Sequence, residues 1–187
     1  HTQVTSSREA THRALLRRRT AKTITAHSTD ERDPIKHVVV LMLENRSFDH
    51  MLGGMTKIDP TVEGIQPNQP ASNTAPNGTL VQQQPIADWV VRRDLNHELD
   101  GTLKQIGSPA KPMSGFVTSY VDRYQDASDA ELDQVMAYFP FGDESNADSL
   151  PVLHGLARNF AVCDHWFASM PGPTWQNRFF AHSGTCL

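Results

Sequence analysis

The chain has 187 residues, of which 38% are apolar and 20% charged, and a formal net charge of −4. That length suits one core of ordinary size, and the balance of side chains excludes a disordered or membrane-embedded chain. No stretch approaches the roughly 20 apolar residues of a membrane-spanning helix, and two cysteines, Cys163 and Cys186, make neither a disulfide framework nor a zinc site.

In chain order, the first 22 residues carry Arg8, Arg13, Arg17, Arg18, Arg19 and Lys22 against Glu9 alone. Residues 1–33 therefore read as a basic, disordered arm, compatible with peripheral contact to an anionic membrane. The arm lacks the apolar core of a secretory signal. Past residue 22 no basic stripe is interleaved with aromatics, so nucleic acid is not an expected partner. Pro34 closes the arm. The run HVVVLML (37–43) is continuously apolar and β-branched, which predicts a parallel strand covered on both faces. ENRSFDH follows at once. Residues 56–88 are rich in Pro, Asn, Gln and Thr and read as a long excursion, with Asn77-Gly78 as a tight turn.

Three helical patterns come next. HELDGTLKQI predicts a face of Leu99, Leu103 and Ile106, and GFVTSYVDRY one of Phe116, Tyr120 and Tyr124. In SDAELDQVMAYF, Ser128 and Glu131 have capping-box spacing, Leu132, Val135, Met136 and Phe139 recur at helical intervals, and Pro140 ends the pattern. SLPVLHGLARNF then predicts a helix with Ser149 as cap and Pro151 in its first turn. FAVCDHWF predicts a second buried strand in which Cys163 is a small hydrophobe. A rigid SMPGPT loop leads into TWQNRFFAHSG, a helix ending near Gly184. Helix, strand, loop, helix is an α/β signature, with a ligand site expected at the carboxyl ends of the strands.

Both polar clusters, ENRS and GPTWQNR, fall at such ends. Glu44 and Asn45 offer hard oxygen donors suited to a divalent cation, or else an ion pair with Arg46 and a cap for the next turn. Thr174 stands at the predicted N-cap of a helix, where N–H groups and the dipole favour an anion. It is either a simple cap or a hydroxyl that a metal activates to attack phosphorus. Asn177 and Arg178 lie within reach of the same phosphoryl group.

LENRSFDHMLG, DLNHELDG and LARNFAVCDHWFASMPGPTWQNRFFAHSGT together resemble the bacterial-type phosphoesterase family, which contains phospholipases C and acid phosphatases of the alkaline-phosphatase-like superfamily. The likeness runs from about Ile35 to Thr185 in the family's motif order. It implies a three-layer α/β/α fold with a mainly parallel central sheet. It also implies Glu44, Asn45 and Thr174 as ligands of a divalent ion (Mg, Mn, Ca or Zn), Thr174 as nucleophile, Asn177 on the phosphate and His97 approaching from a loop. Arg46, Ser47 and Asp49 are expected in structural roles: pairing, capping and helix-start charge. Gln176 departs from the proline common in the family, a change that bears on the turn and not on the reactive atoms. Family members draw a further Asp pair of metal ligands from a C-terminal half, so residues 34–187 are expected to be the N-terminal part of a phosphoesterase domain. The resemblance implies hydrolysis of a phosphate ester or phospholipid; the alternative is a non-catalytic, truncated homologue that keeps an anion-binding pocket. Relatives are often exported.

Overall fold

Residues 34–86 and 93–186 are described by the computed structural model; the basic arm lies outside the described residues. The chain divides at Leu43/Glu44 into two units. Of the first, residues 35–43 form no regular element and join no sheet ladder, and Val38, Val39, Val40 and Leu41 are exposed. The buried strand expected at HVVVLML is thus not formed. Such a strand exists only when neighbours supply its hydrogen bonds and helices cover its faces, and the described residues supply neither ladder.

The second unit begins with a short helix, α1 (Phe48–Met51), whose N-cap Ser47 accepts from the His50 N–H at 3.1 Å. A 3-10 turn over Gly53–Lys57 follows. Strands β1 (Ser72–Thr74) and β2 (Leu80–Gln82) pair antiparallel through the expected Asn77-Gly78 turn. There Gly78 has φ 89, which only glycine adopts freely, and Asn77 Oδ1 accepts from Thr79 N–H at 3.0 Å. Next come β3 (Gln84–Pro85), α2 (Leu99–Ile106), β4 (Gly107–Ser108), β5 (Lys111–Pro112), α3 (Phe116–Arg123) and α4 (Asp129–Val135). β6 (Ala137–Tyr138), α5 (Pro151–Asn159) and α6 (Thr174–Ser183) complete the order. β4 pairs antiparallel with β5, and β3 pairs parallel with β6, Gln84 opposite Ala137. The fold is therefore mixed helix and sheet, with parallel pairing present but short.

Local signals held where they were covalent neighbours. Ser128 and Glu131 form the capping box of α4, Pro151 is the first residue of α5, and Gly184 ends α6 in the left-handed conformation at φ 71. Other expectations need correction. α5 is preceded by Leu150 rather than capped by Ser149. α4 stops at Val135, because residues 137–138 are drawn into the ladder with β3. The face of α2 is inverted: Leu99, Leu103 and Ile106 are about half exposed, while Gly101 and Gln105 are buried. Gln105 goes inside because its amide donates to Asn96 O at 2.7 Å and to Ser119 Oγ at 3.3 Å, which satisfies a buried polar group. The second expected strand, FAVCDHWF, is irregular, with Phe160, Trp166, Phe167 and Cys163 all exposed. Like the first, it lacks a ladder among the described residues.

Two apolar clusters hold the second unit together. Ala75, Val81, Val117, Tyr120 and Leu132 join the β1–β2 hairpin to α3 and α4, with Leu95 packed against them. Burying Val81 or Val117 fully stabilises by roughly 1.5–3 kcal/mol each. Met55, Phe141 and Ala157 form the other cluster, and buried His154 stacks on Phe141 at 3.7 Å between ring centroids.

Asn73, buried in β1, ties hairpin to helix. Its Oδ1 accepts from the first N–H groups of α3, Phe116 at 2.7 Å and Val117 at 3.3 Å, and its Nδ2 donates to Met113 O at 3.0 Å. It is thus a helix cap supplied from 43 residues away. Asn73→Ala leaves buried donors and an acceptor unpaired, so we expect a loss of about 2–3 kcal/mol in urea unfolding. A loss below about 0.5 kcal/mol would mean that water or a backbone shift replaces the cap.

Candidate functional site

The ENRS segment and the first turn of α6 meet across 134 residues of sequence. Arg178, one turn into α6, donates to Glu44 Oε1 from Nε at 2.9 Å and from Nη2 at 2.5 Å. Thr174, at the start of the same helix, favours the charged form of that carboxylate. The Arg178 bonds, opposed by burial and helped by Thr174, hold Glu44 below the usual carboxylate range, so it is ionised. His97 lies close enough to act electrostatically on both Glu44 and Asp94, from an exposed loop before α2.

Thr174 is exposed and is the first residue of α6 rather than its cap. The N-cap is Pro173, which has no side-chain donor or acceptor; its ring fixes φ, here −74, and so sets the entry into the helix. The hydroxyl of Thr174 is therefore not spent on capping, and it stands where a helix presents unpaired N–H groups.

Asn177 holds the loop before the helix. Its Nδ2 donates to Met170 O at 3.2 Å, Gly172 O at 3.0 Å and Pro173 O at 3.2 Å, and its Oδ1 accepts from Met170 N–H at 3.2 Å. This amide thus braces the SMPGPT backbone at the entry to α6. Of the two candidates in that turn, Arg178 is the charged group at the site, and it reaches Glu44.

Asn45 sits at φ 76. Its Nδ2 donates to Asp94 Oδ2 at 3.2 Å, and Arg46 Nη1 donates to Asp94 Oδ1 at 3.2 Å. Burial opposes ionisation of Asp94, but the bonds from Asn45 and Arg46 outweigh it and hold the carboxyl below its ordinary range. Arg46 and Ser47 thus take the pairing and capping roles expected of them. Asp94 was missed from sequence, although it opens the DLNH stretch that suggested His97. Behind Asn45, Arg46 and Asp94 lies a cavity of about 180 Å³ walled by Phe116, Tyr120 and Met136.

Glu44, held by Arg178, thus stands between its chain neighbour Asn45, which bonds Asp94, and the helix that Thr174 opens. The three residues offer a carboxylate, an amide carbonyl and a hydroxyl, a donor set that fits a hard divalent cation. Among the described residues, no three His, Cys, Asp or Glu side chains converge as a metal cluster. Nor is any described helix long and apolar enough to cross a membrane.

Comparison with known proteins agrees with the motif pattern. A model of the phosphoesterase family matches residues 35–186. The chain is 34% identical over 167 residues to non-specific phospholipase C4 of Arabidopsis thaliana, covering 81% of this chain and 29% of that protein. It is 36% identical over 157 residues to non-specific phospholipase C6 of the same plant, covering 81% and 28%. Against the hemolytic phospholipase C of Pseudomonas aeruginosa it is 30% identical over 165 residues, covering 80% and 19%. The chain spans less than a third of the length of these relatives.

Proposed function

The chain belongs to the phosphoesterase family, and from that premise we propose that it supplies the nucleophilic threonine of a phosphoric-ester hydrolase of the phospholipase C kind. One observation carries the reading: Thr174, whose side chain does not cap α6, stands at the N-terminus of the same helix from which Arg178 reaches Glu44. Helix N–H groups and Arg178 supply positive potential for a phosphoryl group, and positioning with electrostatics provides most of phosphoryl-transfer catalysis.

Glu44, Asn45 and Thr174 would hold a divalent cation, which when bound lowers the pKa of the hydroxyl and neutralises phosphoryl charge. Thr174 gives up its hydroxyl proton to solvent, its Oγ attacks phosphorus in line, and the ester P–O bond breaks on the opposite side. His97, exposed in the loop before α2, would protonate the leaving alkoxide. Water then cleaves the phosphothreonine. Asn177 serves this chemistry by keeping the Met170–Pro173 backbone, and so the start of α6, in one conformation. The names of the relatives support a phospholipid ester as substrate, and the cavity beside Asn45 suits the part of the molecule beyond the phosphate. The three-layer, alkaline-phosphatase-like arrangement belongs to the same proposal, supported by the parallel β3–β6 pair.

The test is to quench a turnover with acid and examine the peptide bearing Thr174 by mass spectrometry. A phosphoryl adduct on Thr174, still carrying the substrate's other ester group where the substrate is a diester, is expected; an adduct on another residue would assign the nucleophile elsewhere. A second reading, a non-catalytic homologue that retains an anion site, is favoured by the guanidinium already seated on Glu44. On that reading the chain binds phosphate without turnover and no adduct forms.

A further inference from the structure

Asn45 lies in the left-handed region, which asparagine tolerates better than most residues. An ionised carboxylate accepts hydrogen bonds and cannot donate. Asp94 can therefore take only the NH₂ side of the Asn45 amide, and of the two orientations open to that side chain one is selected by chemistry. We propose that Asp94 is the positioning residue of the site: by accepting from Asn45 Nδ2 it turns the amide carbonyl Oδ1 away from itself and leaves it for a cation. The inference rests on reading Glu44, Asn45 and Thr174 as cation ligands.

Three features make Asp94 a fixed support. Its own carbonyl accepts from the Tyr124 hydroxyl at 3.1 Å, which ties its backbone to the end of α3. The next residue, Leu95, packs against the Val117–Tyr120 cluster, and Asn96 O takes the buried Gln105 amide. Arg46 bridges the pair, since its Nη1 bonds both Asp94 Oδ1 and the carbonyl of Asn45. The left-handed turn at Asn45 is therefore clamped from outside by a segment anchored in the core. Outer partners that orient a metal ligand typically change metal affinity by 10–100-fold when removed.

Two readouts separate this inference from the reading beneath it. In the chain with ¹⁵N-labelled asparagine, the Asn45 side-chain NH₂ should exchange slowly with solvent and resonate as a hydrogen-bonded pair. Asp94→Ala should abolish both features, whereas Asp94→Asn, whose amide oxygen still accepts, should keep most of them. In a Mn²⁺ titration followed by electron paramagnetic resonance, Asp94→Ala should weaken binding about tenfold or more, and by nothing further in an Asn45→Ala background. An Asn45 amide indifferent to Asp94→Ala overturns the proposal, as does an equal loss of Mn²⁺ affinity in both backgrounds. Should the amide respond while the unsubstituted chain takes up no Mn²⁺, the cation reading falls and the Asp94–Asn45 bond survives it.

Discussion

Thr174→Ala is expected to lower phosphodiester hydrolysis by about 10³-fold or more, with divalent cation present and a chromogenic ester as substrate, because no other oxygen replaces the attacking one. Thr174→Ser keeps an oxygen on the same carbon and should retain measurable turnover. The pair is informative because neither change should disturb the fold. Thr174 is exposed, its side chain does not cap α6, and alanine is well tolerated in a first helical turn. Urea midpoints should therefore agree to within about 0.5 kcal/mol of stability, as for surface substitutions generally. Full activity in Thr174→Ala at unchanged stability would remove this residue as nucleophile and leave the helix N-terminus with a binding role.

The second large effect concerns the core behind the site. His154 is fully buried, stacked nearly parallel to Phe141 with 9° between ring planes, and bonded through Nε2 to Met51 O at 3.0 Å. Nδ1 is 3.6 Å from Asp148 Oδ1, too far for a hydrogen bond, and has no other partner among the described residues. Truncation to alanine removes an aromatic ring from a closed cluster, and we expect a loss of about 3 kcal/mol at pH 7.5. The same site gives a pH dependence with a definite sign. Burial disfavours the imidazolium and pushes the His154 pKa below 6.5, against smaller opposing contributions from Met51 and Asp148. The unfolded chain then takes up its proton first as pH falls, so this contribution is complete above pH 6.5 and declines below it, down to the depressed folded pKa.

Asp148 does not confuse that window. Its bonds from Arg158 hold its carboxyl at about 2, so its own contribution is lost only well below pH 4. His50 behaves in the same sense as His154, its pKa lowered by burial and then by Arg46. Comparing wild type with His154→Ala isolates one histidine from the other. The cost of the substitution in urea unfolding should be smaller at pH 5.5 than at pH 7.5. Equal costs at both pH values would show that His154 titrates alike in folded and unfolded chains.

The sequence by itself determined what depends on residues a few positions apart. The Ser128–Glu131 box, Pro151 at a helix start, Gly184 at a helix end and the Asn77-Gly78 turn all follow from backbone geometry and hydrogen bonds within one turn. The two polar clusters, ENRS and GPT, were legible too, because runs of unlike polar groups beside apolar segments need a chemical reason. Tertiary structure decided the rest. Burial of 37–43 and 160–167 depends on ladder partners at long range, so their apolar character could not make them strands on its own. On α2 the hydrophobic stripe lost to Gln105, since a distant carbonyl and hydroxyl were there to satisfy a buried amide. Pairings that shape the site span 49 residues from Asn45 to Asp94 and 134 from Glu44 to Arg178. Their strength comes from oriented charge brought together by the packing of helices and hairpin, and no local pattern in the chain encodes which carboxylate will meet which guanidinium.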